Sequence, residues 1–196
     1  VKEAMALREE IRNRPVRDIR DVEVMAHLNE QAHALLALPE LIADALIGEA
    51  LVAAAKPAKL KSAFSRLSVA AGQALNDPVS ALALKRKTAE LLSTDVDNKI
   101  TRKPFHWPLA FPEVFGSRDG GFDAIVGNPP FLGGTKLSGI MGACFRNYLI
   151  KFLASGRKGR ADLVVYFFLQ AHQLLKKNGC FGLLATSSIA EGDSRQ

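Results

Sequence analysis

Through the first half of the chain, apolar residues recur at three- and four-residue spacing between prolines at Pro15, Pro39, Pro57 and Pro78. That period predicts amphipathic helices over Asp18–Leu38, Glu40–Ala55, Ala58–Leu75 and Pro78–Leu92. Leu41, Ile42, Ala45, Leu46 and Glu49 mark the buried stripe of the second. An interior proline loses a backbone hydrogen bond, so Pro39 and Pro78 are expected at helix ends or first turns. Ser93 to Lys103 turns polar and reads as a linker. In the segment Pro104-Phe105-His106-Trp107-Pro108-Leu109-Ala110-Phe111-Pro112-Glu113-Val114-Phe115, three prolines disfavour helix and the aromatics demand packing. An extended anchor between two halves is expected there, with His106 and Trp107 facing a ligand as the alternative.

After Gly116–Gly121 the pattern changes to α/β. Phe122–Gly127 is a short, nearly continuous apolar run, as expected of a strand buried on both faces of a parallel sheet. A glycine-containing connection follows, with a helix placed around Gly142–Leu153. Ala161–Lys177 predicts a further helix, with Asp162 at its start, Lys176-Lys177 at its end and Asn178-Gly179 as its stop. Phe181–Thr186 then reads as a second buried strand, ending at Ser187-Ser188. The expected organisation is an all-α segment (1–95), a linker and aromatic anchor (96–121) and a partial α/β domain (122–196).

Composition adds class and partner. With 48% hydrophobic and 23% charged residues, the chain reads as a globular protein rather than a disordered one. No apolar run approaches the roughly 20 residues of a membrane span, and no leader pattern is visible, so the cytoplasm is the expected compartment. Cys144 and Cys180 show no metal spacing and read as packing residues. His27 and His33, six apart on a helix, are poor partners for a shared metal, so no metal is expected. The net charge of +6 favours an acidic partner, nucleic acid first. Five basic residues and no acid run from Arg146 to Arg160. The chain starts at Val1 and stops at Gln196, just past a strand-like run, and both ends read as cut.

The chemistry sits where the first strand ends. Ligands of open parallel sheets gather beyond the carboxyl ends of the strands. The two strands deliver Asn128-Pro129-Pro130-Phe131 and Thr186-Ser187-Ser188 to one such edge. The exocyclic amine of adenine is a poor nucleophile because its lone pair is delocalised into the ring. Two acceptors, the Asn128 side-chain oxygen and the Pro129 carbonyl, would grip its hydrogens and aim the lone pair at a methyl donor. Adjacent prolines present that carbonyl rigidly. The Phe131 ring offers a face on which a base stacks, worth about 1–3 kcal/mol. A duplex base reaches such a pocket only by flipping out of the stack. No acid, nucleophile or metal is needed, because orientation and preorganised dipoles suffice.

Phe122-Asp123-Ala124-Ile125-Val126-Gly127-Asn128-Pro129-Pro130-Phe131 resembles motif IV of the gamma-type amino-methyltransferases. Leu132-Gly133-Gly134, the 104–115 segment and Gly182–Arg195 narrow the likeness. They are similar to adenine-specific DNA methyltransferases of type IIG restriction–modification enzymes and of phage-defence systems such as DISARM and BREX. The resemblance covers 104–196 closely and the helical half loosely. It implies a Rossmann-like methyltransferase fold, S-adenosylmethionine as methyl donor, and transfer to N6 of an adenine flipped out of double-stranded DNA. Asn128, Pro129, Pro130 and Phe131 become the candidate catalytic residues. Other subunits of a defence system, or further parts of the same protein, are the implied protein partners.

One departure matters. The family's cofactor signature, a strand running into a glycine-rich turn upstream of motif IV, has no counterpart here. Gly133-Gly134 falls after the motif, and no helix follows Gly120-Gly121. The cofactor residues are therefore unassigned, and so is any target-recognition domain. Lys136, Arg146, Arg157, Lys158 and Arg160 are candidate phosphate contacts, a solvated basic surface being the alternative. Thr135, Ser138 and His172 read as structural. The rival functions are an inactive DNA-binding or assembly subunit, and a methyltransferase acting on RNA or protein glutamine.

Overall fold

The computed structural model describes residues 1–54, 59–93, 101–157 and 159–190. Helices dominate, and one small parallel sheet carries the motif. The chain opens with α1 (Lys2–Asn13), α2 (Ile19–Ala54), α3 (Leu60–Asn76) and α4 (Pro78–Leu92). α1 was not foreseen, and the two helices expected over 18–55 are one, running through Pro39. A proline inside a helix removes one bond, to the carbonyl four residues back. Leu35, whose carbonyl loses that bond, lies 40% exposed. Burial along the rest of α2 outweighs the loss.

That burial falls in two clusters. Ala45, Leu67, Ala74 and Leu84 join α2, α3 and α4, while Ala4, Ala32 and Leu36 join α1 to α2. Glu49 is buried on the expected stripe and receives the Lys87 ammonium at 2.9 Å. Leu46 faces out instead. Pro78 takes the first turn of α4, as its fixed φ favours, and Asp77 caps it by accepting from the N–H groups of Val79 and Ser80. The ends of the predicted helices at Ala55 and Ala58, and most of the 93–103 linker, lie outside the described residues.

The aromatic segment anchors as expected but is not extended. Pro108 and Pro112 sit in the first turns of two single-turn helices, α5 (Trp107–Ala110) and α6 (Pro112–Phe115), where a missing N–H costs nothing. His106 Nε2 lies 2.7 Å from Asp44 on α2. The Arg8 guanidinium donates to the Ala110 carbonyl and lies 3.7 Å from Glu113. Trp107, Phe111 and Phe115 all meet the ring of Phe122, so the segment grips the start of the first strand.

β1 (Phe122–Gly127) pairs in parallel with β2 (Leu175–Leu183). Between them come α7 (Gly134–Met141), a helix where a connection is expected from the glycines, and α8 (Ala143–Tyr148), which continues into a π turn (Leu149–Leu153). α9 (Leu163–Leu174) follows, and a 3-10 turn (Ser187–Ala190) comes after β2. Leu137, Leu149, Leu163 and Tyr166 form the third core cluster. Leu36, Leu137 and Val164 are the largest fully buried side chains, each worth about 1.5–3 kcal/mol of apolar burial.

Several expectations need correction. The last helix stops at Leu174, not Lys177, because Leu175 leaves it to pair with Phe122. Cys180 then pairs with Ala124, so residues 176–179 bulge opposite the single residue Asp123. Asn178, with φ of 66°, turns within this bulge rather than ending a helix. Lys176 in the bulge pairs with the Asp123 carboxylate. The regular strand ends at Leu183, before the expected Thr186, with one more ladder bond from Leu184 N–H to the Gly127 carbonyl at 3.1 Å. Nor is the sheet buried on both faces. Phe168 of α9 packs on Phe181, yet Val126 is 86% and Leu184 63% exposed, and Cys180 is exposed rather than packed. Two strands are the whole of the described sheet, too few to complete a Rossmann-like fold.

Candidate nucleobase-acceptor site

β1 delivers Asn128-Pro129-Pro130-Phe131 to the carboxyl edge of the sheet, and the parallel register carries Leu184–Thr186 to the same edge. Asn128 is exposed and makes no side-chain hydrogen bond to any described residue. Its amide is thus free to meet a partner from outside. Pro129 is buried, which fixes the backbone between Asn128 and Pro130. Phe131 is 47% exposed. Other rings are as open, Phe105 at 60% among them; what sets Phe131 apart is its place three residues after an unengaged amide, where an open ring can receive a flat ligand.

Both ends of the motif are pinned. On one side the Gly127 carbonyl accepts from Leu184 N–H. On the other, Asp162 Oδ1 accepts from Leu132 N–H at 3.2 Å and from Val164 N–H at 3.0 Å, while Leu163 N–H donates to the Leu132 carbonyl at 2.9 Å. Next in sequence, a Cβ on Gly134 would stand 2.0 Å from the Arg160 carbonyl oxygen, so only glycine permits this approach. In the sequence Asp162 marks only a helix start. Its second bond joins residues 30 positions apart, and no local pattern announces such a bond.

Beneath the motif lies an apolar cavity of about 440 Å³ whose walls include Pro130, Leu132, Phe145, Tyr166, Phe167 and Gln170. Neither Asn128 nor Phe131 lines it, so it belongs to the packing under the site. Burial pushes the Tyr166 phenol above its ordinary range, partly offset by the Arg146 charge.

The basic residues divide. Lys136, Arg157 and Arg160 are exposed. Gly134 brings the first turn of α7, with Lys136, against the Arg160 backbone. Arg146 is partly buried, and its guanidinium donates to the Gly159 carbonyl at 3.1 Å, which ties the loop to α8. Lys158 lies outside the described residues. His106 and Trp107 are spent on anchoring. Among the described residues no three His, Cys, Asp or Glu side chains gather around a metal-sized space, and no helix is long and apolar enough to cross a membrane.

Residues 42–196 match the Eco57I restriction-modification methylase family. The chain belongs to that family. A protein of Methanocaldococcus jannaschii, described as a candidate type II restriction enzyme and methyltransferase, is 31% identical over 90 residues. That stretch is 46% of this methylase-family chain and 7% of the relative, so the chain spans a small part of the relative's length. No solved structure matches it. The family match covers the motif, both its pins and the basic loop, as well as most of the helical half that the sequence likeness reached only loosely.

Proposed function

We propose that this chain forms the acceptor-base pocket of a DNA methyltransferase that moves a methyl group from S-adenosylmethionine to N6 of adenine. The carrying observation is the unengaged Asn128 amide, followed three residues on by a half-exposed Phe131 ring, at the carboxyl end of a parallel strand. Asn128 Oδ1 and the Pro129 carbonyl accept from the two amine hydrogens, and Phe131 stacks on the ring. The nitrogen lone pair then points out of the base plane. Because the site is open at a sheet edge, a duplex adenine enters it flipped. Lys136, Arg157 and Arg160 take phosphates beside the flipped base, together with Lys158 from the same basic run, while Arg146 holds the loop through the Gly159 carbonyl. The setting is restriction–modification or phage defence in the cytoplasm.

S-adenosylmethionine would supply the electrophilic methyl group. Of the two glycines that follow the motif, Gly134 is closed against the Arg160 backbone and Gly133 faces open space, and no strand runs into them as into a cofactor turn. No step of transfer is therefore assigned to this chain beyond holding and orienting the acceptor. The division into a helical segment (1–95), an anchor (96–121) and a partial Rossmann-like domain (122–196) follows from the same reading.

The test is methyl transfer from labelled donor to DNA by the full-length protein, with products resolved by mass spectrometry. Transfer to N6 of adenine is expected, and Asn128→Ala should lower kcat about 100-fold or more. Undiminished transfer by that variant would remove the pocket assignment. DNA binding with no transfer by the unaltered protein would favour the assembly-subunit reading instead.

A further inference from the structure

We propose that Asp162 is a positioning residue for the acceptor pocket, holding the exit of the motif through its bond to Leu132. The inference rests on the acceptor reading above and extends it to a residue that touches no substrate. One carboxylate oxygen, Oδ1, receives both the Leu132 N–H and the Val164 N–H, at 3.2 and 3.0 Å. It thereby does two jobs: it caps α9 and it ties down the residue immediately after Phe131. The returning bond from Leu163 N–H to the Leu132 carbonyl makes the tie two-stranded. The close approach of Gly134 to Arg160 extends the same clasp by one more contact.

The need for such a clasp follows from the geometry. Pro129 and Pro130 have no N–H, so between Gly127 and Leu132 only Asn128 and Phe131 have one to spend on the fold. Phe131 is half exposed and has little packing of its own. Its position is therefore set from its two sides, by the rigid pair of buried Pro129 and exposed Pro130 and by Leu132. Releasing Leu132 leaves the ring on a tether fixed at one end. Misplacing a stacking surface by about 1 Å is enough to cost about 100-fold in rate.

The cap and the clasp can be separated by substitution. Serine caps a helix about as well as aspartate, but its hydroxyl is one bond closer to the backbone and does not span to Leu132. Asparagine keeps an oxygen at the Oδ1 position. In the full-length protein, Asp162→Ser should fold with nearly unchanged melting temperature yet lose about 10- to 100-fold in kcat, with KM for DNA little altered. Asp162→Asn should stay within a few-fold of the unaltered protein. In a Phe131→Ala background the further loss from Asp162→Ser should shrink to a few-fold, since the two act through one surface. Normal kcat for Asp162→Ser overturns the proposal, as does an equal loss in Asp162→Asn or a fully additive loss with Phe131→Ala. Asn128→Ala is run alongside. If it abolishes transfer while Asp162→Ser is normal, only the clasp falls. If Asn128→Ala transfers normally, the acceptor reading falls and takes the clasp with it.

Discussion

Asn128 and Glu49 are both polar residues beside apolar ones, and their fates differ for a legible reason. Asn128 follows a strand and precedes two prolines, so it ends up at a sheet edge with its amide unspent. Glu49 falls on the inward stripe of a helix, where its carboxylate is 6% exposed with the residue and needs Lys87. Lys87 itself is 47% exposed in its side chain, so water screens much of the pair. Removing Lys87 should still leave a buried, uncompensated charge. Lys87→Ala is expected to destabilise by about 1–3 kcal/mol, between the exposed and the buried limits. Glu49→Met, which removes charge and demand together, should cost less. Urea titration of both variants decides it, and the reverse order would mean that the pair carries no burial penalty.

At the scale of elements, α4 is set by Asp77-Pro78, a cap followed by a proline at the first turn. The Ser80 hydroxyl, and then the N–H groups of Ser80 and Val79, donate to the Asp77 carboxyl and hold it below its usual value of 3.8. A depressed folded value means stability that is present above the unfolded value and lost as pH falls through the folded one. Asp77→Asn, a cap that does not titrate, should therefore match the unaltered protein at neutral pH. It should exceed the unaltered protein in melting temperature at about pH 3 and below. Melting followed by circular dichroism at both pH values tests this, and parallel behaviour across the range would exclude the cap as the titrating group. Elements whose ends are marked by such local chemistry were read correctly: α4 and β1 have the predicted bounds. α2 and β2 were misread because their ends depend on distant partners. Pro39 is carried through by packing on α1, α3 and α4, and the bulge at 176–179 exists only because Leu175 pairs with Phe122.

For the whole molecule, the net charge of +6 becomes useful only where it is placed. Lys136, Arg157 and Arg160, all after the motif in sequence, are exposed, and Arg146 is partly buried against the Gly159 carbonyl. If Lys136 and Arg157 meet phosphates, each removed charge should lower the slope of log affinity against log salt by about 1. The double variant Lys136→Ala, Arg157→Ala should thus bind duplex DNA more weakly and with a slope flatter by about 2. Fluorescence anisotropy across a salt series measures it, and an unchanged slope would reduce the pair to solvated surface. The sheet shows the other side of the same scale. A continuous apolar run predicted burial on both faces, but Val126 and Leu184 are open: among the described residues α9 packs on Phe181 and the aromatics of 107–115 reach only Phe122, at the start of the strand.

What the sequence by itself determined is local: helical periods, the capped start of α4, the strand of residues 122–127 and the motif that follows it. These follow from backbone preferences and from chemistry carried by adjacent residues. The parallel pairing of the two strands was also inferable, since a helix between two apolar runs leaves few other arrangements. What only the tertiary structure decided is how the motif is held. The bond from Leu132 to Asp162, the glycine-only approach of residue 134 to Arg160 and the engagement of Arg146 each join residues far apart in sequence. Their energies appear only once the chain has closed on itself. That closure leaves the Asn128 amide exposed and without a partner among the described residues.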